Sequence, residues 1–469
     1  MPERTRLPGW FLLLLAVLAL VALARAGGLL LHRPLLAYAN NYDQIRYSAC
    51  LDLAPWRPGD RPDRGHPQAP LSRYAFQPIP PDLCVWSSDL LFTAPVAAAW
   101  RTSEAFGARA IHSVHRLAEW RLLLWLALAG WTARELLRSG QPEAAAGYLG
   151  WLALFGQDPA NLLYFPTFYA EAGALLGFHA CLAGLAVALL RPTRAALVVA
   201  AAGAAILAGS KQQHLVLPLL LGLVMLVIAG RMRRRIALAL LVGALAGLAL
   251  QLADLSRATP VAQAVDRANR ANFVLTVLLP ESSDPARVAS ALALEPACIA
   301  YAGRSIYAMP LPVERICSQV AHWPRLAPWW LLLSDPPATA RALFHVPRLL
   351  LPWTPPLGVV EGETWGALPS SQPSWNRVFG DRTGIAVGLL LLPWLVAAVA
   401  WWRSRDRAAV GFALTCAVGS AAVALVSLFG DGDVDFAKHA QLAPNFALAS
   451  LGLVFTALTR QALGAGVDR

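Results

Sequence analysis

The sequence predicts an all-α membrane protein whose 469 residues form one multispanning body, 1–469, with large outer loops. Three observations carry that expectation. Hydrophobic residues make up 57% of the chain and charged residues 14%, where a soluble domain holds about 25% charged residues. The apolar residues arrive in blocks, and Trp10–Leu31 is the first run long enough to cross a hydrocarbon layer of roughly 30 Å. Arginines recur at every second turn between the blocks, as short cytoplasmic loops require. A globular enzyme surrounded by water is thereby excluded. Lys+Arg 39 against Asp+Glu 28 gives a net charge of +11, which raises nucleic acid as a partner. No basic stretch is interleaved with aromatics in a polar domain, so nucleic acid is not expected.

The first run follows Arg4 and Arg6 and ends among Ala22, Ala24 and Ala26, small residues that imitate a signal-peptidase site. Its apolar core is much longer than the 7–15 residues typical of a secretory signal, so a retained anchor is expected. Further apolar runs predict spans near 120–137, 143–157, 169–189, 195–210, 215–230, 236–253, 384–402, 409–429 and 441–459, about ten in all. With the N-terminus inside, the inner turns hold Arg134 and Arg138, Arg191 and Arg194, the run Arg231, Arg233, Arg234 and Arg235, then Arg403, Arg405 and Arg407, and finally Arg460. The C-terminus is then inside as well, and the membrane accounts for most of the excess charge.

The other face receives a first outer loop, 32–119, a second, 254–383, and short turns near 158–168, 211–214 and 430–440. Repeated Pro, Arg and Gly over Pro55–Pro81 predict a loop without regular elements. Thr102–Leu117 and Pro337–Leu350 are expected to be helices lying at the interface. Cys181 and Cys416 fall inside spans, whereas Cys50, Cys84, Cys298 and Cys317 fall on the outer side. Pairing within each loop, Cys50 with Cys84 and Cys298 with Cys317, is open in an oxidising compartment, beside the alternative of four thiols.

Polar groups gather on the same face. Tyr38-Ala39-Asn40-Asn41-Tyr42-Asp43-Gln44-Ile45-Arg46-Tyr47 places Asp43, with Tyr42 and Arg46, just above the hydrocarbon boundary. A carboxylate there suits a lipid-linked substrate, as proton acceptor for an incoming hydroxyl or as ligand to Mg²⁺ or Mn²⁺. The bland reading is a salt bridge to Arg46. Asp89, in Trp86-Ser87-Ser88-Asp89, is either a second carboxylate over the site or the cap of the following helix. The only two lysines, Lys211 and Lys438, stand beside His214 and His439 at outer span ends. Each is a candidate for holding a phosphate, against the alternative of snorkelling. Asp431, Asp433 and Asp435 offer oxygens to a divalent cation but lack the closing Glu of an EF-hand, and pairing with Lys438 and His439 competes. Glu171, after an aromatic-rich turn, is costly inside a span unless paired or functional.

In Asn41-Tyr42-Asp43-Gln44-Ile45-Arg46-Tyr47, behind an opening span, the chain resembles the GT-C class of multispanning glycosyltransferases, which use polyprenyl-phosphate sugars. With Gly209-Ser210-Lys211-Gln212-Gln213-His214, Leu279-Pro280-Glu281-Ser282-Ser283-Asp284-Pro285 and Lys438-His439 it is similar to bacterial hexose transferase-like proteins of glycan biosynthesis. The resemblance implies a GT-C-like bundle in a bacterial inner membrane, with its active face periplasmic. It implies transfer of a hexose from a polyprenyl-phosphate donor to a glycan or lipid-linked acceptor, with Asp43 as the loop acid and Lys211 toward the carrier phosphate. That class often carries two neighbouring acids in its first loop; here Gln44 follows Asp43. A glycolipid transporter or flippase and a noncatalytic component of glycan assembly are the alternatives.

Overall fold

A computed structural model describes residues 7–39, 41–57, 61–62, 69–228, 230–324, 326–355, 357–363, 366–403 and 406–465. Arg4, Arg6, Asn40, Arg405 and part of Pro55–Pro81 lie outside the described residues. The body is an all-α, multi-pass membrane bundle. Among the described residues six helices are long and apolar enough to cross a membrane: Gly9–Leu30, Ala170–Leu190, Arg233–Ser256, Thr383–Arg403, Arg407–Asp431 and Leu442–Leu463.

Ten such spans were expected, and the shortfall has physical causes. Arg194–Ser210 and Gln212–Val227 are apolar but short, and 17 residues at 1.5 Å each reach only about 25 Å. The run at 143–157 is a ten-residue helix, Pro142–Trp151, broken by a π-helical turn at Leu152–Gly156. The run at 120–137 lies within a 24-residue helix, His115–Arg138, whose length suffices but whose charges include Arg121, Arg134 and Glu135.

Small residues allow close helix crossings. Ala170–Leu190 and Arg194–Ser210 approach so closely that a Cβ on Gly203 would stand 2.2 Å from the Cys181 nitrogen, and one on Gly184 would stand 2.4 Å from Ala200. In lipid, where apolar surface alone does not drive association, such backbone approach is what packing has to offer. The first helix, α1 (Gly9–Leu30), buries Phe11, Leu15, Ala22, Ala26, Leu29 and Leu30 against this body and leaves Leu12, Leu13 and Leu20 outward.

Residues 32–119, expected as the first outer loop, are more regular than their composition suggests. They contain a short helix α2 (Asn41–Ser48), strands β1 (Leu53–Arg57), β2 (Arg61–Pro62), β3 (Arg73–Phe76) and β4 (Ile111–Ser113), and helix α3 (Leu90–Ala105). The strands form one antiparallel sheet in the order β2-β1-β3-β4, so Pro55–Pro81 is partly strand, contrary to expectation. The interfacial helix expected over Thr102–Leu117 is not there either. Helix α3 ends at Ala105, Gly107 turns at φ +86°, and β4 follows before helix α4 (His115–Arg138) begins. Pro336–Leu349 is helical. Cys50–Cys84 and Cys298–Cys317 are disulfides with Cα separations of 4.7 and 5.0 Å, while Cys181 and Cys416 are buried thiols.

The two ends of the bundle differ in chemistry. At one end Glu135 meets Arg138 and Arg191, and Glu143 meets Arg460. At the other, the ends of Ala170–Leu190, Arg194–Ser210 and Arg407–Asp431 meet α2 and the turn before Leu442, and the candidate site forms there.

Candidate functional site

Asp43 occupies the first turn of α2. Its carboxylate takes Lys438 Nζ at 2.6 Å on Oδ2 and the Arg46 guanidinium on Oδ1. Lys438 is only 3% exposed and also reaches Asp435 Oδ2 at 2.8 Å, with its ammonium 5.8 Å from the centre of the Tyr169 ring. The i,i+3 spacing of Asp435 and Lys438 on the short helix Phe436–His439, entered through a left-handed Asp435 (φ 49°), makes that contact local. Lys211 Nζ binds Glu171 Oε1, and Glu171 Oε2 is buried without a hydrogen-bond partner among the described residues. Lys211 lies within electrostatic reach of Asp43, and Glu171 within reach of Arg46 and Lys438. The structure thus brings together Asp43, Arg46, Glu171, Lys211 and Lys438 from four separate stretches of sequence.

Charge balance decides the state of Asp43. Burial alone would raise its carboxyl, but the Lys438 ammonium and Arg46 guanidinium outweigh burial and hold it well below the usual carboxylate range. Burial alone would likewise lower the Lys438 ammonium, yet Asp43 and Asp435 hold it well above its ordinary value. For an acid whose folded pKa is depressed, the stabilisation is fully present above the unfolded value and is lost as pH falls through the folded one. Asp43→Asn is therefore expected to lower the melting temperature by a constant amount from pH 8 down to the ordinary carboxylate range, roughly pH 4, and by less at more acid pH. Differential scanning fluorimetry of both proteins across that window reads it. A gap that closes between pH 8 and 6 would contradict the assignment.

Other residues singled out from the sequence stand differently. Gln44, where a second loop acid was the alternative, is 3% exposed and acts as a staple: its Nε2 donates to the carbonyls of Tyr38 and Ala39, both at 3.2 Å, and its Oε1 accepts from Phe168 N at 3.1 Å. Tyr42 is 60% exposed beside Asp43. Asp89 does not cap α3 through its side chain; it is buried and bound at 2.5 Å by Arg121, itself fully buried. Burial pushes the Asp89 carboxyl above the ordinary carboxylate range even against that guanidinium. His214 is buried, with Nδ1 2.8 Å from Ser210 Oγ, and Gln213 donates to the His439 carbonyl at 3.0 Å. His439 Nε2 stands 3.4 Å from Asp431 Oδ2, and Asp431 Oδ1 accepts from Asn272 at 2.7 Å. The backbone N–H of Asp433 donates to Thr276 Oγ1 at 3.2 Å. The three acids of the 431–435 series thus have different neighbours, and among the described residues no three His, Cys, Asp or Glu side chains form a group that would hold a metal ion.

Sequence reasoning missed Arg121 and Asn272 as parts of this arrangement. Arg121 had a legible signal: an arginine inside an apolar run needs a buried partner. Asn272 had none of its own, because its contacts join segments far apart in sequence.

Residues 123–320 are similar to the YfdI N-terminal transmembrane domain. The match covers less than half of the chain. It includes Arg121's neighbouring helix residues from Leu123 onward, Glu171, Lys211 and His214, and leaves out Asp43 and Lys438. No curated protein matches the chain. With the six apolar helices, the similarity supports a multi-pass membrane protein.

Proposed function

We propose that the protein is a GT-C-type hexosyltransferase that moves a sugar from a polyprenyl phosphate to a glycan or lipid-linked acceptor at the membrane surface. The observation that carries this reading is the convergence of Asp43, Arg46, Lys211 and Lys438 at one end of an apolar bundle. Three cations around a carboxylate suit a substrate whose tail stays in lipid and whose phosphate lies at the boundary. With the Arg-rich turns at the opposite end facing the cytoplasm, the site faces the periplasm of a bacterial inner membrane, where disulfides persist.

The depressed carboxyl of Asp43 refines its role. While Lys438 and Arg46 hold it, Asp43 is a weak base. A donor phosphate competes for the same cations and loosens their grip on the carboxylate as it binds. The acceptor oxygen then attacks the anomeric carbon, its proton passes to Asp43, and the bond from that carbon to the phosphate oxygen breaks. The electron pair leaves with the polyprenyl phosphate, whose charge Lys211 and Lys438 stabilise. Glu171 keeps Lys211 at the site until the phosphate arrives.

The test is transfer by purified wild-type protein in lipid nanodiscs, with a panel of polyprenyl-phosphate hexoses as donors. Product formation with at least one donor is expected. Movement of the lipid headgroup across liposomes without covalent transfer would replace this reading with a flippase, and donor binding without transfer to any acceptor would replace it with a noncatalytic role.

A further inference from the structure

Tyr307, which none of the assignments above uses, lies on a loop that Asn272 ties to Asp431, whose other oxygen faces His439 beside Lys438. The tyrosine lies on a single 3-10 turn, Ile306–Ala308, inside the loop closed by the Cys298–Cys317 disulfide. The residue is 73% exposed, so its ring is available to a ligand. Its backbone, in contrast, is pinned. Ile306 N donates to Asn272 Oδ1 at 3.0 Å, Asn272 Nδ2 donates to Asp431 Oδ1 at 2.7 Å, and Gly303 N donates to the Leu275 carbonyl at 2.8 Å. The loop is thereby tied to the end of the Arg407–Asp431 helix, seven residues before Lys438. The phenol lies within electrostatic reach of Asp431, Asp43, Lys438 and Asp435, and Arg46 is within reach of it.

A pyranose has one face of C–H groups and a rim of hydroxyls. An exposed aromatic ring matches the first, and half-exposed carboxylates such as Asp435 match the second. A rigidly held backbone carrying an exposed ring lowers the entropic cost of such a contact. We propose that Tyr307 and its disulfide-closed loop form a carbohydrate subsite, on which a sugar ring of the acceptor stacks with a hydroxyl directed toward Asp43. The proposal rests on the glycosyl-transfer reading and adds to it where the acceptor binds. Asn272 is a positioning residue for this subsite, acting through the Ile306 N–H and Asp431.

Two measurements on the full chain in nanodiscs separate the failure of this subsite from the failure of that reading. The first is saturation-transfer NMR with free oligosaccharides ending in hexose or hexosamine, on wild type, Tyr307→Ala and Tyr307→Phe. Ring-proton signals are expected in wild type and in Tyr307→Phe and are expected to be lost in Tyr307→Ala. The second is steady-state transfer from a polyprenyl-phosphate hexose. Tyr307→Ala is expected to raise the acceptor KM about tenfold and to move the donor KM by less than about twofold, the loss expected for one stacking contact. Asn272→Ala is expected to shift the acceptor KM in the same direction with the donor KM unchanged. If wild type transfers no sugar, the glycosyl-transfer reading fails and the NMR result alone decides the subsite. Absent sugar signals in wild type, equal signals in Tyr307→Ala, or an unchanged acceptor KM would overturn it.

Discussion

Arg121→Met is expected to lower stability by about 3–5 kcal/mol, the cost of leaving a buried charge without its partner. Arg121 has no exposed surface, and its guanidinium binds Asp89 at 2.5 Å while donating to the carbonyls of Phe165 at 2.7 Å, Thr167 at 2.6 Å and Tyr164 at 3.4 Å. Those carbonyls belong to the turn that delivers Tyr169 and Glu171 to the site. Removing the side chain strips donors from all of them and leaves the Asp89 carboxyl in an apolar setting. Denaturant unfolding in detergent, read by tryptophan fluorescence, measures the effect. Arg121→Met with Asp89→Asn is expected to recover part of the loss, because no uncompensated charge remains. Arg121→Lys is expected to fall between, since a point charge cannot serve four acceptors arranged around a planar fork.

Lys438→Met is expected to slow transfer about 10²–10³-fold, the range seen when one preorganised charge donor is removed. The ammonium sits between Asp43 and Asp435, and without it those carboxylates lose their common cation. Transfer kinetics at saturating donor provide the measurement. Because Asp43 and Lys438 form one ion pair, Asp43→Asn with Lys438→Met is expected to be no slower than the worse single variant. Multiplying losses in the double variant would mean that the two side chains act separately.

Most of the apolar blocks were legible: the runs at 10–31, 169–189, 236–253, 384–402, 409–429 and 441–459 correspond to the six long apolar helices. The runs at 143–157, 195–210 and 215–230 overstated the count because hydropathy does not register a π turn or a helix that stops short. At 120–137 it did not discount the charges of a helix that buries Arg121 and Glu135. The sheet formed within residues 53–113 escaped notice because Pro and Arg interrupt the alternation that marks strands. Asp43, Lys211 and Lys438 were legible because each is a rare ionisable group at a span end. Their meeting was not, since across a sequence separation of 395 between Asp43 and Lys438 no local periodicity encodes a contact. Asp89 shows the opposite limit. An acid before a helix looks like a cap, and only the packed structure reveals Arg121 beneath it.

Single-turnover transfer from a polyprenyl-phosphate hexose by Asp43→Asn, beside wild type and with donor binding measured on the same samples, tests the central claim most directly. The account predicts transfer slowed about 10²–10⁴-fold with the donor still bound, as loss of a proton acceptor requires. Unchanged turnover in Asp43→Asn would contradict it.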